Sequence, residues 1–310
     1  MKRFYIALCA LLTIIAPSCT PEAQDDQAGI SGGSQTEEPK DEPVPLPAEF
    51  KVMSFNVKVD GTNDATTVNG WGSRKQVCVQ MIRKYSPAII GLQEANCTNQ
   101  WLWLKNELKD RYDGYGVNRD NAQKSGSGEV MGILYDREIL EKIDCGTFWL
   151  SETPDQVSKS WNSACNRTAT WATFIHKESG IRFCYINTHL DHESVDARIN
   201  GMGVIKKRFQ MYNPQGWPQI LTGDFNTTSD NAAFLHISGT MKNTRSAAPS
   251  ELTDSHTTYN GWKEDKQSII DHIYVSNEVE VLEYHTIYEK YGDCPFISDH
   301  YPIISHIRIN

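Results

Sequence analysis

Leu221-Thr222-Gly223-Asp224-Phe225-Asn226 is the stretch on which the reading of the fold turns. The apolar run from Pro218 to Leu221 reads as a buried strand, and Gly223 lets the backbone turn sharply where that strand ends. Side chains alternate along extended backbone, so Asp224 and Asn226 face one way while Phe225 packs on the other side. A carboxylate and a carboxamide therefore converge on one spot. The first suits a hard cation or a water molecule, the second an acceptor oxygen of a ligand. Gly-Asp followed by Asn is also ordinary turn chemistry. The stretch gains its meaning from four more strand ends that carry complementary polar groups.

Working outward, Phe50 to Val57 reads as a first strand with Asn56 near its end. A helix follows over Ser73 to Tyr85, where Val77, Met81, Ile82 and Tyr85 fall at helical spacing and Ser73 is a plausible cap. Ala88 to Leu92 is a short apolar strand that delivers Gln93 and Glu94; a carboxylate after so apolar a run must be solvated or paired with a cation. Thr98 to Leu108 reads as helix. Tyr112 to Val117 and Val130 to Tyr135 read as neighbouring strands joined by a polar, Gly-rich stretch, with Glu129 opening the second. Phe148 to Thr153 leads into a long loop, after which Arg167 precedes a strand over Thr168 to Phe174. Its planar fork suits a surface charge or a phosphate.

Ile181 to Asn187 is a further buried strand, ending in Thr188 and His189. A helix over Val195 to Tyr212 and a short one near Asn231 to Ile237 flank the central stretch, and a loop-rich region runs to Gln267. Ile269 to Val275 then carries Asp271 in a β-branched run, and Ser298-Asp299-His300 precedes a terminal strand over Pro302 to Ile309. An Asp beside a His can fix the imidazole tautomer and raise its basicity. The other seven histidines read as structural or solvated. Strands alternating with helices in each half, with several strands consecutive, imply an α/β fold of two packed sheets with helices outside.

The ends of the chain read differently. Residues 1–19 combine Lys2 and Arg3 with the apolar run Phe4 to Ala16 and then Cys19, the pattern of an export signal. The site before Cys19 resembles a bacterial lipobox, which implies a lipid anchor in the outer membrane through Cys19; general signal-peptidase cleavage, leaving a periplasmic protein, is the alternative. Residues 20–49 carry eight acids and one lysine among Pro, Gly and Ser and read as a disordered tether. The remaining 50–310 forms one catalytic domain with a net charge of −4, which weighs against a dedicated nucleic-acid binder. The six cysteines outside the signal lack zinc spacing. Cys145 with Cys165 is the first disulfide to test, and Cys184 reads as a small core residue.

Taken in order, Asn56, Gln93-Glu94, Glu129, Arg167, Thr188-His189, Asp224 with Asn226, Asp271 and Asp299-His300 form a set that resembles the endonuclease/exonuclease/phosphatase superfamily, which includes deoxyribonuclease I. The resemblance spans Phe50 to Asn310. It implies a four-layer α/β/β/α sandwich of two mixed sheets flanked by helices, and hydrolysis of a phosphate ester assisted by Mg²⁺, with Mn²⁺ as a substitute. It also implies that Glu94, Asn56 and Asp299 surround the metal. Asp299 would orient His300 as general base, Asp224 would position the water, Asn226 would hold a phosphoryl oxygen, and Asp271 would complete the ring. His189 would be the acid for the leaving oxygen with Glu129 as its acidic partner, and Arg167 would contact the phosphate.

In-line displacement at phosphorus requires a nucleophile, charge against the equatorial oxygens and help for the leaving oxygen, hence groups on separate strands. Gln267 to Asp271 lacks the Pro, Trp, Cys-Asp-Arg segment of the inositol phosphatase subgroup and looks more like an exported bacterial subgroup near the deadenylase-like branch. Three readings follow: a phosphoesterase acting outside the cytoplasm, a sequence-tolerant nuclease with nucleic acid as partner, or a binding module that kept the fold. The intact acid and base set opposes the third. A monomer is expected.

Overall fold

The computed structural model describes residues 46–61 and 67–310. The export signal, Cys19 and most of the tether lie outside the described residues. Ala48 and Glu49, assigned to the tether from sequence, belong instead to the first strand, where they pair with Ile309 and Arg308.

Among the described residues twelve strands follow one another as β1 (Ala48–Asn56), β2 (Ile89–Asn96), β3 (Tyr112–Tyr115), β4 (Glu129–Asp136), β5 (Leu140–Trp149), β6 (Thr168–His176), β7 (Arg182–His189), β8 (Gln219–Asp224), β9 (Met241–Asn243), β10 (Asp271–Ser276), β11 (Glu280–Thr286) and β12 (Ile303–Ile309). They form two six-stranded sheets, ordered β11-β12-β1-β2-β4-β3 and β5-β6-β7-β8-β10-β9. Each sheet is mixed: β1 runs parallel to β2, and β7 parallel to β8.

The apolar clusters set out the layers. Phe50, Val52 and Ile133 of one sheet meet Phe174, Phe183, Tyr185 and Ile220 of the other in a central core. Met53 and Phe55 point the other way, against α1 (Trp71–Tyr85) and α2 (Trp103–Glu107). On the far side α3 (Val195–Tyr212) packs Met202, Ile205 and Phe209 over Ile186 and Leu221. This is the four-layer sandwich. The period of two along β1 feeds both of its faces from one strand.

Several sequence-based boundaries shift. Gly70 rather than Ser73 occupies the cap of α1, because the helix begins at Trp71. A π-helical turn, Cys97–Leu102, precedes α2 where one helix was expected. β5, β9 and β11 were not read as strands. All three are sheet edges, and β5 and β11 each carry a bulge, at Lys142/Asp144 and Val281/Glu283, which breaks the alternation that sequence reading depends on. Cys145 and Cys165 are both free: Cys145 pairs with Ala172 within the sheet, while Cys165 lines a cleft. Cys184 is fully buried in the core.

A polar seam ties the two sheets together behind the strand ends. Asn187 donates to the carbonyls of Leu92 (2.8 Å) and Gly132 (3.0 Å) and accepts from Gln93 Nε2 (2.7 Å) and Thr222 Oγ1 (3.2 Å). The seam needs Gly91, where a Cβ would stand 2.4 Å from both Asn187 Oδ1 and Thr222 Oγ1 and 2.6 Å from Tyr185 OH. Gly91→Ala should therefore destabilise the fold by about 2 kcal/mol through overpacking and broken buried hydrogen bonds. A guanidinium midpoint equal to that of the unchanged protein would show that the close approach is not required.

Candidate active site

The parallel pairs deliver their carboxyl ends to one place. In register, His189 of β7 lies opposite Asp224 of β8, and Asp224 lies opposite Asp271 of β10. Across the sandwich Asn56 ends β1 opposite Gln93 of β2. Glu94 follows in a bulge between Leu92 and Ala95, in left-handed conformation at φ 57°. Lys58 (φ 56°) and Asn226 (φ 52°) share that conformation. Left-handed backbone is unfavourable for Glu and Lys and gathers where a site over-determines the chain.

These ends surround a cleft of about 550 Å³ whose walls include Glu94, Asp224, Asp299, His189 and His300. Asn56 bridges the two sheets, giving one amide hydrogen to Glu94 Oε1 and the other to Asp224 Oδ2, each at 2.9 Å. His300 Nδ1 stands 2.9 Å from Asp271 Oδ2, and its Nε2 faces Asp224 Oδ2 at 3.6 Å. The Tyr259 ring packs on the imidazole with centroids 4.9 Å apart. Lys58 Nζ stands between Glu94 Oε2 (3.7 Å) and Asp299 Oδ2 (3.5 Å).

Burial governs the charges. It pushes the Asp224 carboxyl up, and the neighbouring acids Asp271 and Glu94 add to this against the pull of His300. His300 moves up as well: burial alone would lower it, but Asp271 and Asp224 outweigh that cost. Glu94 ends below the ordinary range, because Lys58 and His300 overcome its burial. His189 lies well below its ordinary value through burial and the nearby Arg167 and Arg119 guanidinium groups, so it is neutral.

The sequence matches the Endonuclease/Exonuclease/phosphatase family over residues 53–300. The chain belongs to this family. Among solved structures, a family member from Bacteroides thetaiotaomicron is 28% identical with a TM-score of 0.78, covering 86% of this chain and 99% of that one. A mannosyl-6-phosphatase of the same organism is 28% identical with a TM-score of 0.74, over 83% of this chain and 98% of that one. A probable RNA exonuclease of Saccharomyces cerevisiae is 24% identical in an alignment of 210 residues that covers 61% of this chain and 40% of that protein.

The family's ordered residues come together here, but their partnerships differ from those expected. Asp271, at the start of β10, and not Asp299 holds His300; Asp299, in the bend before His300, turns to Lys58. Asn56 gives its two amide hydrogens to the Glu94 and Asp224 carboxylates, which orients both acids, and its Oδ1 accepts from Lys58 N. Asn226 gives its hydrogens to Leu190 O and His189 Nε2, which makes it a holder of His189. Glu129 pairs with Arg119 at 2.6 Å instead of with His189. Arg167 lines the cleft, anchored to Asp191 Oδ2 at 3.3 Å and donating to His192 Nδ1 at 2.7 Å.

Lys58, Arg119, His192 and Tyr259 line the site and were not singled out in the sequence. Lys58 does follow the apolar run that ends at Val57, but a lysine there reads as solvated, and the other three lie in loops outside such runs. His192 in particular, expected to be structural or solvated, stands in the cleft wall.

Glu94, Asp224 and His300 offer one ligand atom each within 4.8 Å of one another. A positive charge, the Lys58 ammonium, already stands against Glu94 and Asp299. Hard oxygen donors that bind a cation in this way fit Mg²⁺ or Mn²⁺.

Proposed function

We propose that the chain is a divalent-cation-dependent phosphoesterase that acts outside the cytoplasm, as the leader reading of residues 1–19 supports, and cleaves a phosphate ester by in-line attack of water. The observation that carries this reading is the convergence of Glu94, Asp224 and His300 from three different elements on one point. Glu94 and Asp299 would hold the cation, which would supply charge against the phosphoryl oxygens.

The chain's own groups divide the remaining work. Asp224 and His300 face each other across 3.6 Å, with Asp271 behind the imidazole. The two titrate as a pair, and the unprotonated member takes the proton from the attacking water. Arg167, nine-tenths buried and fixed by Asp191, offers a planar donor set to the phosphoryl oxygens. His189 is held by Asn226, whose amide donates to its Nε2, and its lowered basicity argues against a cationic acid.

The cleft wall mixes Lys58, Arg119 and Arg167 with Glu94, Glu129, Asp224 and Asp299, without the single-signed track that a nucleic-acid backbone favours. The likeness to a mannosyl-6-phosphatase supports a small substrate. The deciding experiment is a panel of sugar phosphates, nucleotides, lipid headgroup phosphodiesters and plasmid DNA, assayed with Mg²⁺ or Mn²⁺ and after EDTA. Cleavage of a small ester that stops on chelation is the expected outcome. Nicking of plasmid in preference to every small ester would replace the substrate reading with the nuclease one, and activity that survives EDTA would remove the cation.

A further inference from the structure

Lys58 stands where the proposed cation belongs. Its Nζ is 3.7 Å from Glu94 Oε2 and 3.5 Å from Asp299 Oδ2, too far to be docked on either acid and near enough to balance both. Its backbone cannot move away. The amide donates to Asn56 Oδ1 at 3.0 Å, and the carbonyl accepts from Gln100 Nε2 at 2.8 Å and Arg74 Nη2 at 3.2 Å. The side chain is free to leave, since 30% of it is exposed along the cleft.

We propose that the Lys58 ammonium and the divalent cation are alternative occupants of the Glu94–Asp299 carboxylate pair, so that Lys58 sets how tightly the cation is held. The inference rests on the reading of these two acids as cation ligands. Two largely buried carboxylates without a counter-charge repel each other and lose hydration. The ammonium relieves both costs while the cation is absent. A doubly charged ion and an ammonium within about 4 Å of each other repel strongly, so binding of the first expels the second. The tethered backbone keeps the lysine close enough to return. The consequence is a protein that holds its strand ends together without metal, at the expense of metal affinity.

Calorimetric titration of the full chain with Mg²⁺ alone and Mn²⁺ alone, together with thermal melts in EDTA and in saturating metal, tests this. Lys58→Met should bind Mg²⁺ about five- to tenfold tighter than the unchanged protein, because one ion-pair set no longer has to be broken. Its melting temperature in EDTA should fall, and the gap between EDTA and saturating metal should widen. Lys58→Arg should keep the weaker, unchanged affinity. Lys58→Gln, which retains a polar chain on the same turn, should follow Lys58→Met and serves in its place should that variant not fold. Equal or weaker metal binding in both uncharged variants overturns the role of Lys58 alone. Absence of binding in every protein, the unchanged one included, overturns the cation site together with the inference.

Discussion

Asp224→Asn is expected to lower kcat/KM by about 10³- to 10⁴-fold with little change in KM, the loss characteristic of a group that acts in the transition state. Asp224 is placed by three neighbours. Its Oδ2 accepts from Asn56 Nδ2 and its Oδ1 from Asn226 N, each at 2.9 Å, while His300 Nε2 stands 3.6 Å away. An asparagine preserves the shape but presents one amide group where both neighbours donate, and it withdraws the charge that faces His300. Stability should move the other way. The carboxyl is raised above its unfolded value by burial, so the ionised form opposes folding, increasingly as pH rises from the unfolded value through the folded one. Measured in EDTA, the variant should melt above the unchanged protein at pH 8, and the advantage should vanish near pH 4. Activity within tenfold of normal would take Asp224 out of the reaction.

Arg74→Met should cost about 3–5 kcal/mol, or a fall in melting temperature of roughly 10 °C. Arg74 is almost fully buried, and its hydrogen bonds among the described residues go to backbone carbonyls. Nη1 donates to Val57 O (2.7 Å) and Ile297 O (2.8 Å), Nη2 to Lys58 O and Nε to Asn69 O. The guanidinium lies between the rings of Trp71 and Trp262, 5.5 and 5.2 Å from their centroids. One side chain therefore stitches α1 to the end of β1 and to the segment that leads into Asp299. Methionine fills the volume and leaves the carbonyls unpaired. Lysine, with one ammonium for four acceptors, should fall between the two. A melting temperature within 2 °C of normal would mean that water replaces these bonds without cost.

Sequence reading captured what periodicity and desolvation can signal. Glu94 after Ala88 to Leu92, His189 after Ile181 to Asn187 and Asp271 in a β-branched run were conspicuous because a polar group beside such runs needs a reason. The same logic located the central strands of both sheets. It could not locate β5, β9 and β11, whose outer faces and bulges blur the alternation. Nor could it choose between partners. Asp299 adjoins His300 in the chain, yet Asp271, twenty-nine positions earlier, holds the imidazole, because register across strands and not adjacency decides which side chains meet. Arg74 and Lys58 escaped for a related reason: an arginine on a helix and a lysine in a turn read as solvated until the third dimension buries one and aims the other.

The row formed by His189, Asp224 and Asp271 has a bearing on how the chain comes to be correct. Were β8 to pair one position out of step, Gly223 or Phe225 would stand in Asp224's place, and Leu221 would exchange the helix layer for the sandwich interior. Any molecule that assembled with that slip would be both unstable and inert. Quality control that removes poorly packed chains would thereby also remove the inactive ones, with no separate inspection of the active centre.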